Sequence, residues 1–158
     1  MSVIDTLTTD RALTDVELAR DMARRGWVQL TAAEKNAWLA GLKGAYNATD
    51  LNRVEQAVNY VAGRLNAAGY PVTVSTPRGW TESDIPTKAQ LDVYIADVAA
   101  LRAVLPVPTG TPETPEDMDK LTYTEANDIE SIILIVDTLL DNMMQSWFYS
   151  GDLYSGEV

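Results

Sequence analysis

Residues 122–147, TYTEANDIESIILIVDTLLDNMMQSW, decide the fold of this chain. Their apolar side chains recur in alternating steps of three and four, which is the spacing of one face of a helix. A second column of apolar residues runs beside that face, so the apolar surface is wider than a single stripe. We therefore predict a long helix that is buried on several sides and lies at the centre of the fold. The face consists of Ala126, Ile129, Ile133, Val136, Leu140, Met143 and Trp147, and the second column of Ile132, Ile135 and Leu139.

An earlier stretch, residues 51–68, carries the same pattern on a narrower face. Its apolar residues form a seam that fits one groove of a partner helix. Gly69 follows the seam directly, and glycine is the residue expected just past a helix end. The stretch therefore predicts a second core helix. Its seam consists of Leu51, Val54, Val58, Val61, Leu65 and Ala68.

Helix starts are marked by capping boxes, in which a Thr oxygen and a Glu or Gln side chain three residues later each bind the other's free backbone N–H. Four such boxes predict four helices, and an Asn cap followed by an Asp in the first turn predicts a fifth. The boxes begin at Thr14, Thr31, Thr87 and Thr122, and the Asn cap is Asn47, followed by Asp50. The predicted ends are Gly26, Lys43–Gly44, Gly69 and Leu105–Pro106.

These elements predict an all-α fold, an irregular bundle of about five helices in a single domain, residues 1–158, with a central C-terminal helix. Residues 72–75 are β-prone but isolated, so we expect an extended connection or a small hairpin there. Residues 106–115 are rich in proline and predict a linker. Thr114–Pro115 then predicts one further helical turn.

The chain resembles itself at a shift of 75 residues, which places Asn52 and Glu55 on Asn127 and Glu130. One interpretation is an old duplication that gives two helical pairs. The other is that heptad spacing shared by two core helices produces the match. Each Asn either places a polar amide against the core, where it fixes helix register, or binds local backbone near a helix start.

If the duplication is real, the approximate sub-units are residues 26–70 and 79–149. Two Gly-Trp pairs are compatible with it, because Gly26-Trp27 and Gly79-Trp80 each stand shortly before a capped helix.

The sequence lacks the residue types and motifs on which most enzymes depend. The chain contains no histidine and no cysteine, so the commonest general base, the commonest metal ligand and the thiolate nucleophile are missing together. The phosphate-binding and nucleophile-elbow glycine motifs are also missing. Acidic residues Glu113, Glu116, Asp117 and Asp119 lack the spacing of a calcium loop and fit the first turn of a helix. We expect no enzyme, no cofactor and no metal site.

Charge and hydropathy narrow the set of partners. The formal net charge is −11, and residues 76–158 hold four Lys or Arg against fifteen Asp or Glu. This half would repel nucleic acid, whose binding depends on basic side chains. The longest apolar run, Ile132–Val136, is far below the roughly 20 residues that span a bilayer. The first residues show no secretory signal, so we expect the chain to be made and kept in a cytoplasm.

The chain ends with a cluster of aromatic residues in QSWFYSGDLYSGEV, residues 145–158. Trp147 continues the core spacing, so we expect it to anchor this ending to the bundle, and Ser150-Gly151 predicts the end of the helix. Aromatic residues dominate binding hot spots because they bury large areas with few rotors to freeze. The alternative is a tail that folds back over its own bundle. The predicted protein-binding residues are Trp147, Phe148, Tyr149, Leu153 and Tyr154.

Two stretches resemble a helical module of phage and prophage tail-region structural proteins of gut Firmicutes. They are GLKGAYNATDLNRVE, residues 41–55, and WFYSGDLYSGE, residues 147–157. The resemblance covers most of the chain, including the surroundings of Trp27 and Trp80. It implies a virion-associated or tail-associated structural or assembly role, and it implies no catalytic residues.

We therefore expect a non-enzymatic structural or protein-binding module that forms homo-oligomers and contacts other phage structural proteins. It would bind neither nucleic acid nor membrane, and it would be cytoplasmic when made and then associated with the virion. The alternative is an acidic regulatory or mimic protein that binds a basic partner. Strong salt dependence of binding would favour this alternative.

Overall fold

The computed structural model describes residues 1–75 and 77–155, with side chains up to residue 146 in the last helix. Over these residues the fold is an all-α bundle, and none of them forms a strand. Short 3-10 turns stand at Val3–Thr6 and Trp27–Gln29. The five helices are α1 Leu13–Arg25, α2 Ala32–Leu39, α3 Ala48–Ala67, α4 Lys88–Val104 and α5 Tyr123–Ser155.

The core lies between α3, α4 and α5, which all pack against one another. The predicted seam of α3 is buried from Leu51 to Leu65, and Ala68 packs against the core at its edge. The predicted face of α5 is buried from Ala126 to Leu140. The central position of α5 is confirmed. The α4 residues of the core are Tyr94, Ile95, Val98 and Leu101.

Three of the four predicted capping boxes are confirmed, at Thr31, Thr87 and Thr122, and so is the Asn47 cap. The box at Thr14 is wrong. Helix α1 begins at Leu13, because the carboxylate of Asp15 accepts the free N–H of Ala12 at 2.8 Å. A carboxylate three residues past the cap is sufficient here, although Ala12 offers no oxygen in return.

Helix α2 is shorter than predicted and ends at Leu39, well before Lys43–Gly44. The chain turns at Gly41, whose φ of +92° is strained for residues that carry a Cβ. The following residues fold back onto α1, where Gly44 lies against the backbone of Asp15 and Val16. Residues 41–46 therefore form a loop that is fixed by contact with α1.

Two further expectations about helix boundaries are wrong. Residues 114–119 form no helical turn, and Arg102 of α4 holds the segment before them by donating to the Thr111 and Pro112 carbonyls. The backbone of α5 also continues past Ser150–Gly151 to Ser155. One glycine costs a helix about 1 kcal/mol relative to alanine, and extending an existing helix is far easier than starting one. A single glycine therefore does not end α5. Residues 72–75 have no helix or strand assignment, which agrees with an extended connection.

The two residues aligned by the 75-residue shift make equivalent contacts. The Asn52 amide accepts the Trp80 backbone N–H and donates to the Trp80 carbonyl, both at 2.7 Å. The Asn127 amide does the same with Arg11, at 3.0 and 2.9 Å. Both amides bind the backbone of a distant segment, so the local-backbone interpretation is wrong. Asn52 of α3 thus holds the segment that leads into α4, and Asn127 of α5 holds the segment that leads into α1.

The aligned glutamates follow the same rule. Glu55 accepts the backbone N–H of Arg78 at 2.8 Å, and Glu130 accepts that of Thr8 at 2.5 Å. The first half of the chain therefore holds a segment of the second half, and the second half holds a segment of the first. This reciprocal arrangement is compatible with a duplicated unit, but the held residues Arg11 and Trp80 are not aligned by the 75-residue shift, so the duplication stays a prediction.

Candidate functional site

The predicted binding residues Trp147, Phe148, Tyr149, Leu153 and Tyr154 all belong to the backbone of α5. Their side chains lie outside the described residues, so neither the anchoring of Trp147 nor the exposure of the others is tested. In the described part of α5, Leu140 is the last fully buried residue and Met143 is the last that packs against the core. Residues 141–146 are exposed except for the half-buried Met143.

A small apolar groove of about 210 Å³ lies where α5 leaves the core. It is lined on the α3 side by Ala68 and Tyr70 and on the α5 side by Leu140, Met143 and Met144. Met144 is 51% exposed. An apolar surface thus begins on α5 before the aromatic residues are reached.

A buried ion cluster lies at the other end of α5. The carboxylate of Glu130 is completely buried and accepts hydrogen bonds from Arg11 at 2.6 Å and from Arg53 at 2.7 Å. Asp50 completes the cluster by accepting from the same two guanidinium groups, at 3.1 and 2.6 Å. Two acids facing two bases balance in charge, which is the condition for burying ions.

Two tyrosines adjoin this cluster. The hydroxyls of Tyr46 and Tyr94 lie 2.5 Å apart, and the Arg11 guanidinium lies 5.4 Å from the centre of the Tyr46 ring. Burial raises the pKa of both phenols above the ordinary value, and the nearby Glu130 carboxylate adds to this effect. Both phenols are therefore neutral and act as hydrogen-bonding groups of the core.

The sequence analysis did not predict the ion cluster, although it singled out two of its members, Glu130 in the internal repeat and Asp50 after the Asn47 cap. The signal was the shared pattern Asn-x-x-Glu, Asn52–Glu55 and Asn127–Glu130, inside otherwise apolar seams. A charged residue next to a core position is unusual unless it is paired. The cluster fixes residues 8–11 against α5. Its two acidic and two basic side chains neutralise one another, so none of these charges is left for a ligand.

A larger cavity on the same bundle is an aromatic groove of about 540 Å³. We call it the tryptophan groove, because three of the four tryptophans of the chain, Trp27, Trp38 and Trp80, line it. The structure thereby brings together the two Gly-Trp pairs of the sequence. The remaining lining includes Leu39, Leu42, Tyr46, Leu51, Glu82 and Asp84.

Several elements build the tryptophan groove, and Leu51 of α3 contributes to its lining. Helix α2 supplies Trp38, the loop after it supplies Tyr46, and the segment before α4 supplies Trp80. Asn52 fixes the backbone of Trp80 through two hydrogen bonds, so its side chain is held against the core. Trp27, which stands in the turn before α2, is 48% exposed.

The position of α2 depends on one ion pair with α1. Arg25 donates to the two carboxylate oxygens of Glu34 at 2.5 and 3.3 Å, and the Thr31 N–H donates to the same carboxylate at 2.8 Å. The Arg25 guanidinium, followed by Thr31, lowers the pKa of Glu34 from 4.5 to about 2. This pair ties the helix that carries Trp38 to the end of α1.

We predict that the Glu34 carboxyl titrates with a midpoint near 2, and that Arg25→Gln moves the midpoint up towards 4.5. A carboxyl whose folded pKa is lowered stabilises the fold above its unfolded pKa, and this contribution disappears as the pH falls through the folded pKa. The pair should therefore weaken between pH 4.5 and about 2. Carbon-detected NMR titration measures both midpoints. An unchanged midpoint in Arg25→Gln would show that the pair is absent in solution.

Other sequence candidates are not brought together into a site. Glu113 forms an ion pair with Arg102 at 2.8 Å. It does not join Asp117 and Asp119 in a set of ligands for one metal ion. Among the residues that the structure describes, no three acidic side chains are placed to hold a metal ion. Within the same residues, no helix combines the length and the apolar character needed to cross a membrane.

Comparisons with protein-family models, with curated proteins and with solved structures find no match to this chain.

Proposed function

We propose that this protein is a non-enzymatic structural module that assembles with a second copy of itself through the C-terminal end of α5. The observation that carries the proposal is that α5 continues as helix to Ser155, well past Met143, its last described side chain that packs against the core. At 1.5 Å per residue, this extension is about 20 Å long. The continuation of α5 carries several apolar and aromatic residues, and such residues need a surface that covers them, which we assign to a second copy.

The described start of the extension supports this role. Exposed Met144 and half-buried Met143 border the apolar groove formed with Tyr70, and methionines adapt well to a partner surface. The residues that follow on the same helix include Trp147, Phe148, Leu153 and Tyr154. Aromatic residues of this kind supply most of the binding energy in protein interfaces.

The resemblance to tail-region proteins gives the assembly its proposed setting. A module of this kind would be made in the cytoplasm and would then join a virion or tail with other phage structural proteins. Its net charge of −11 argues against contact with nucleic acid. A helical module that binds its neighbour through the end of one helix would suit a repeated subunit of such an assembly.

A second candidate function is the capture of a basic partner protein. The acidic excess lies in residues 76–158, and both charged residues that line the tryptophan groove are acidic and belong to this half. The two candidate functions use different surfaces, so each can be tested without disturbing the other.

We predict that the double variant Met144→Glu, Phe148→Glu is monomeric, whereas the natural chain forms oligomers. Two new carboxylates at positions four apart would have to be buried unpaired in the contact, which costs far more than the apolar area returns. Absolute mass by light scattering during size exclusion, compared with 17.3 kDa for one chain, measures the change.

The matched control is Ile85→Glu, which places a carboxylate at another exposed apolar residue, away from α5. It is expected to keep the natural mass. A chain cut after Ser146 retains the described core and is expected to be a folded monomer. A natural chain that is monomeric, or a double variant that still assembles, would contradict the proposal.

A further inference from the structure

Helix α2 is folded but buries none of its residues within this chain. Its apolar residues Trp38 and Leu39 line the tryptophan groove, and Leu39 is 67% exposed. A surface helix normally buries one face against its own core. The outer wall of the groove is therefore a helix whose apolar side chains are half-buried, at Trp38, or exposed, at Leu39.

Two exposed apolar residues stand next to lining residues of the tryptophan groove in the chain. Val28 follows Trp27 and is 85% exposed, and Ile85 lies between the lining residues Asp84 and Pro86 and is 90% exposed. A small molecule that fits about 540 Å³ would leave these residues in water. A segment of a protein would cover the groove and both neighbours together.

The charge of the groove is acidic. Of the residues that line it, only Glu82 and Asp84 are charged. Asp84 accepts the N–H and hydroxyl of Thr81 at 2.6 and 2.8 Å, and these bonds keep it ionised by lowering its pKa. Among the described residues, no Lys or Arg forms an ion pair with either carboxylate.

The aromatic rings of the groove suit a positive charge as well. The Lys35 ammonium already lies 5.6 Å from the centre of the Trp27 ring, which shows that this indole accepts a cation. Indole faces attract ammonium and guanidinium groups more strongly than other aromatic rings do. Carboxylates at the rim and indoles in the wall form the usual surroundings of a buried Lys or Arg side chain.

We propose that the tryptophan groove binds a segment of a different protein in which a Lys or Arg side chain lies between apolar residues. The apolar residues cover α2, Val28 and Ile85, while the cation lies against the indoles and within reach of Glu82 and Asp84. The inference rests on the second candidate function, the capture of a basic partner. It gives that function a site and is independent of assembly through α5.

A second copy of this chain is a poor occupant of the groove. Residues 147–158 contain the aromatic residues that could fill it, but their charged residues are Asp152 and Glu157, with no Lys or Arg. These acids would meet Glu82 and Asp84, and like charges brought together in an interface are unfavourable. The charge of the groove therefore favours a foreign basic segment.

The test selects random dodecapeptides on the immobilised full chain and measures the affinity of the enriched peptides by fluorescence anisotropy. We expect enriched peptides to combine Lys or Arg with apolar residues. Affinity is expected to fall by about tenfold or more in Trp27→Ala, since removing a central aromatic contact has effects of this size. Glu82→Gln and replacement of the peptide Lys by norleucine should each weaken binding several-fold.

The substituted residues are exposed, so the variants are expected to fold, and the thermal unfolding of each is measured alongside its affinity. The matched control is Leu18→Ala, whose side chain is as exposed as that of Trp27 but lies on α1. It should bind the peptides like the natural chain. Retained affinity of basic peptides for Trp27→Ala would overturn the groove as the site and leave the second candidate function standing.

Two further outcomes would contradict the basic protein segment as the occupant of the groove. Enrichment of apolar peptides without Lys or Arg, or of none at all, would contradict both the inference and the second candidate function. Binding of an oligosaccharide panel to the natural chain, abolished in Trp27→Ala, would show that the groove takes a glycan and would overturn the protein segment as its occupant. The mass of the natural chain remains a separate test of assembly through α5.

Discussion

Replacing Glu130 by Gln is expected to lower the free energy of unfolding by about 3–5 kcal/mol, because it removes one charge from a buried, balanced cluster. The Glu130 carboxylate lies between the guanidinium groups of Arg11 and Arg53. Arg11 is itself buried, so without Glu130 it keeps only Asp50 to balance its charge. The new amide would also bring its own N–H donors close to the guanidinium donors. Chemical denaturation of the natural chain and the Glu130→Gln variant measures the difference.

Two control variants separate charge from hydrogen bonding. Glu55 is as deeply buried as Glu130, and the acceptor role found for it is to the backbone N–H of Arg78. Glutamine keeps an oxygen that can accept this N–H as an uncharged hydrogen bond, so Glu55→Gln should cost less than the roughly 1–3 kcal/mol of a lost buried hydrogen bond. Glu113 pairs with Arg102 at the surface, so Glu113→Gln should cost less than about 1 kcal/mol. Equal losses in the three variants would show that the ion cluster has no special weight.

The same variant should loosen the N-terminal segment before the rest of the bundle. Thr8 donates its backbone N–H to one oxygen of Glu130 while the other accepts from Arg11 and Arg53, and glutamine has a single oxygen for these two sets of donors. Hydrogen exchange at Thr8 should accelerate in Glu130→Gln by more than exchange at core amides of α3. Uniform acceleration would indicate a global loss of stability without local release.

Replacing Gly44 by Ala is expected to destabilise the fold by about 3 kcal/mol, at the upper end of the usual cost of overpacking. A Cβ at Gly44 would collide with the backbone carbonyl of Asp15 and with the backbone N–H of Val16. Both obstacles are helix backbone, which cannot move aside as the tip of a flexible side chain can. The loop 41–46 would have to separate from α1, and it carries Leu42 and Tyr46 of the tryptophan groove.

Gly63 provides the matched control, because it is also a glycine but stands in the middle of α3 with open space at its Cβ position. Gly63→Ala should stabilise the protein by up to about 1 kcal/mol, since alanine is the better helix former. Thermal and denaturant unfolding of the two variants should therefore move in opposite directions. Two shifts of the same sign would mean that the close approach of Gly44 to α1 is not maintained in solution.

The internal repeat illustrates how far a sequence match can be taken. The alignment of Asn52 with Asn127 and of Glu55 with Glu130 was visible in the sequence, but heptad spacing offered an equal explanation. The structure adds that each pair holds a distant segment in the same way. Which segment each helix holds could not be predicted, because those contacts join residues far apart in the chain.

The sequence by itself determined the helices and their core faces. Capping at Thr31, Thr87 and Thr122 and the seams of α3 and α5 involve residues within four positions of one another, so local spacing is sufficient. The tertiary structure decided where α2 ends, which charges are buried and how the tryptophan groove is assembled. These features depend on contacts between segments distant in the chain, such as that of Thr8 with Glu130, and their energies arise only when packing removes water from around them.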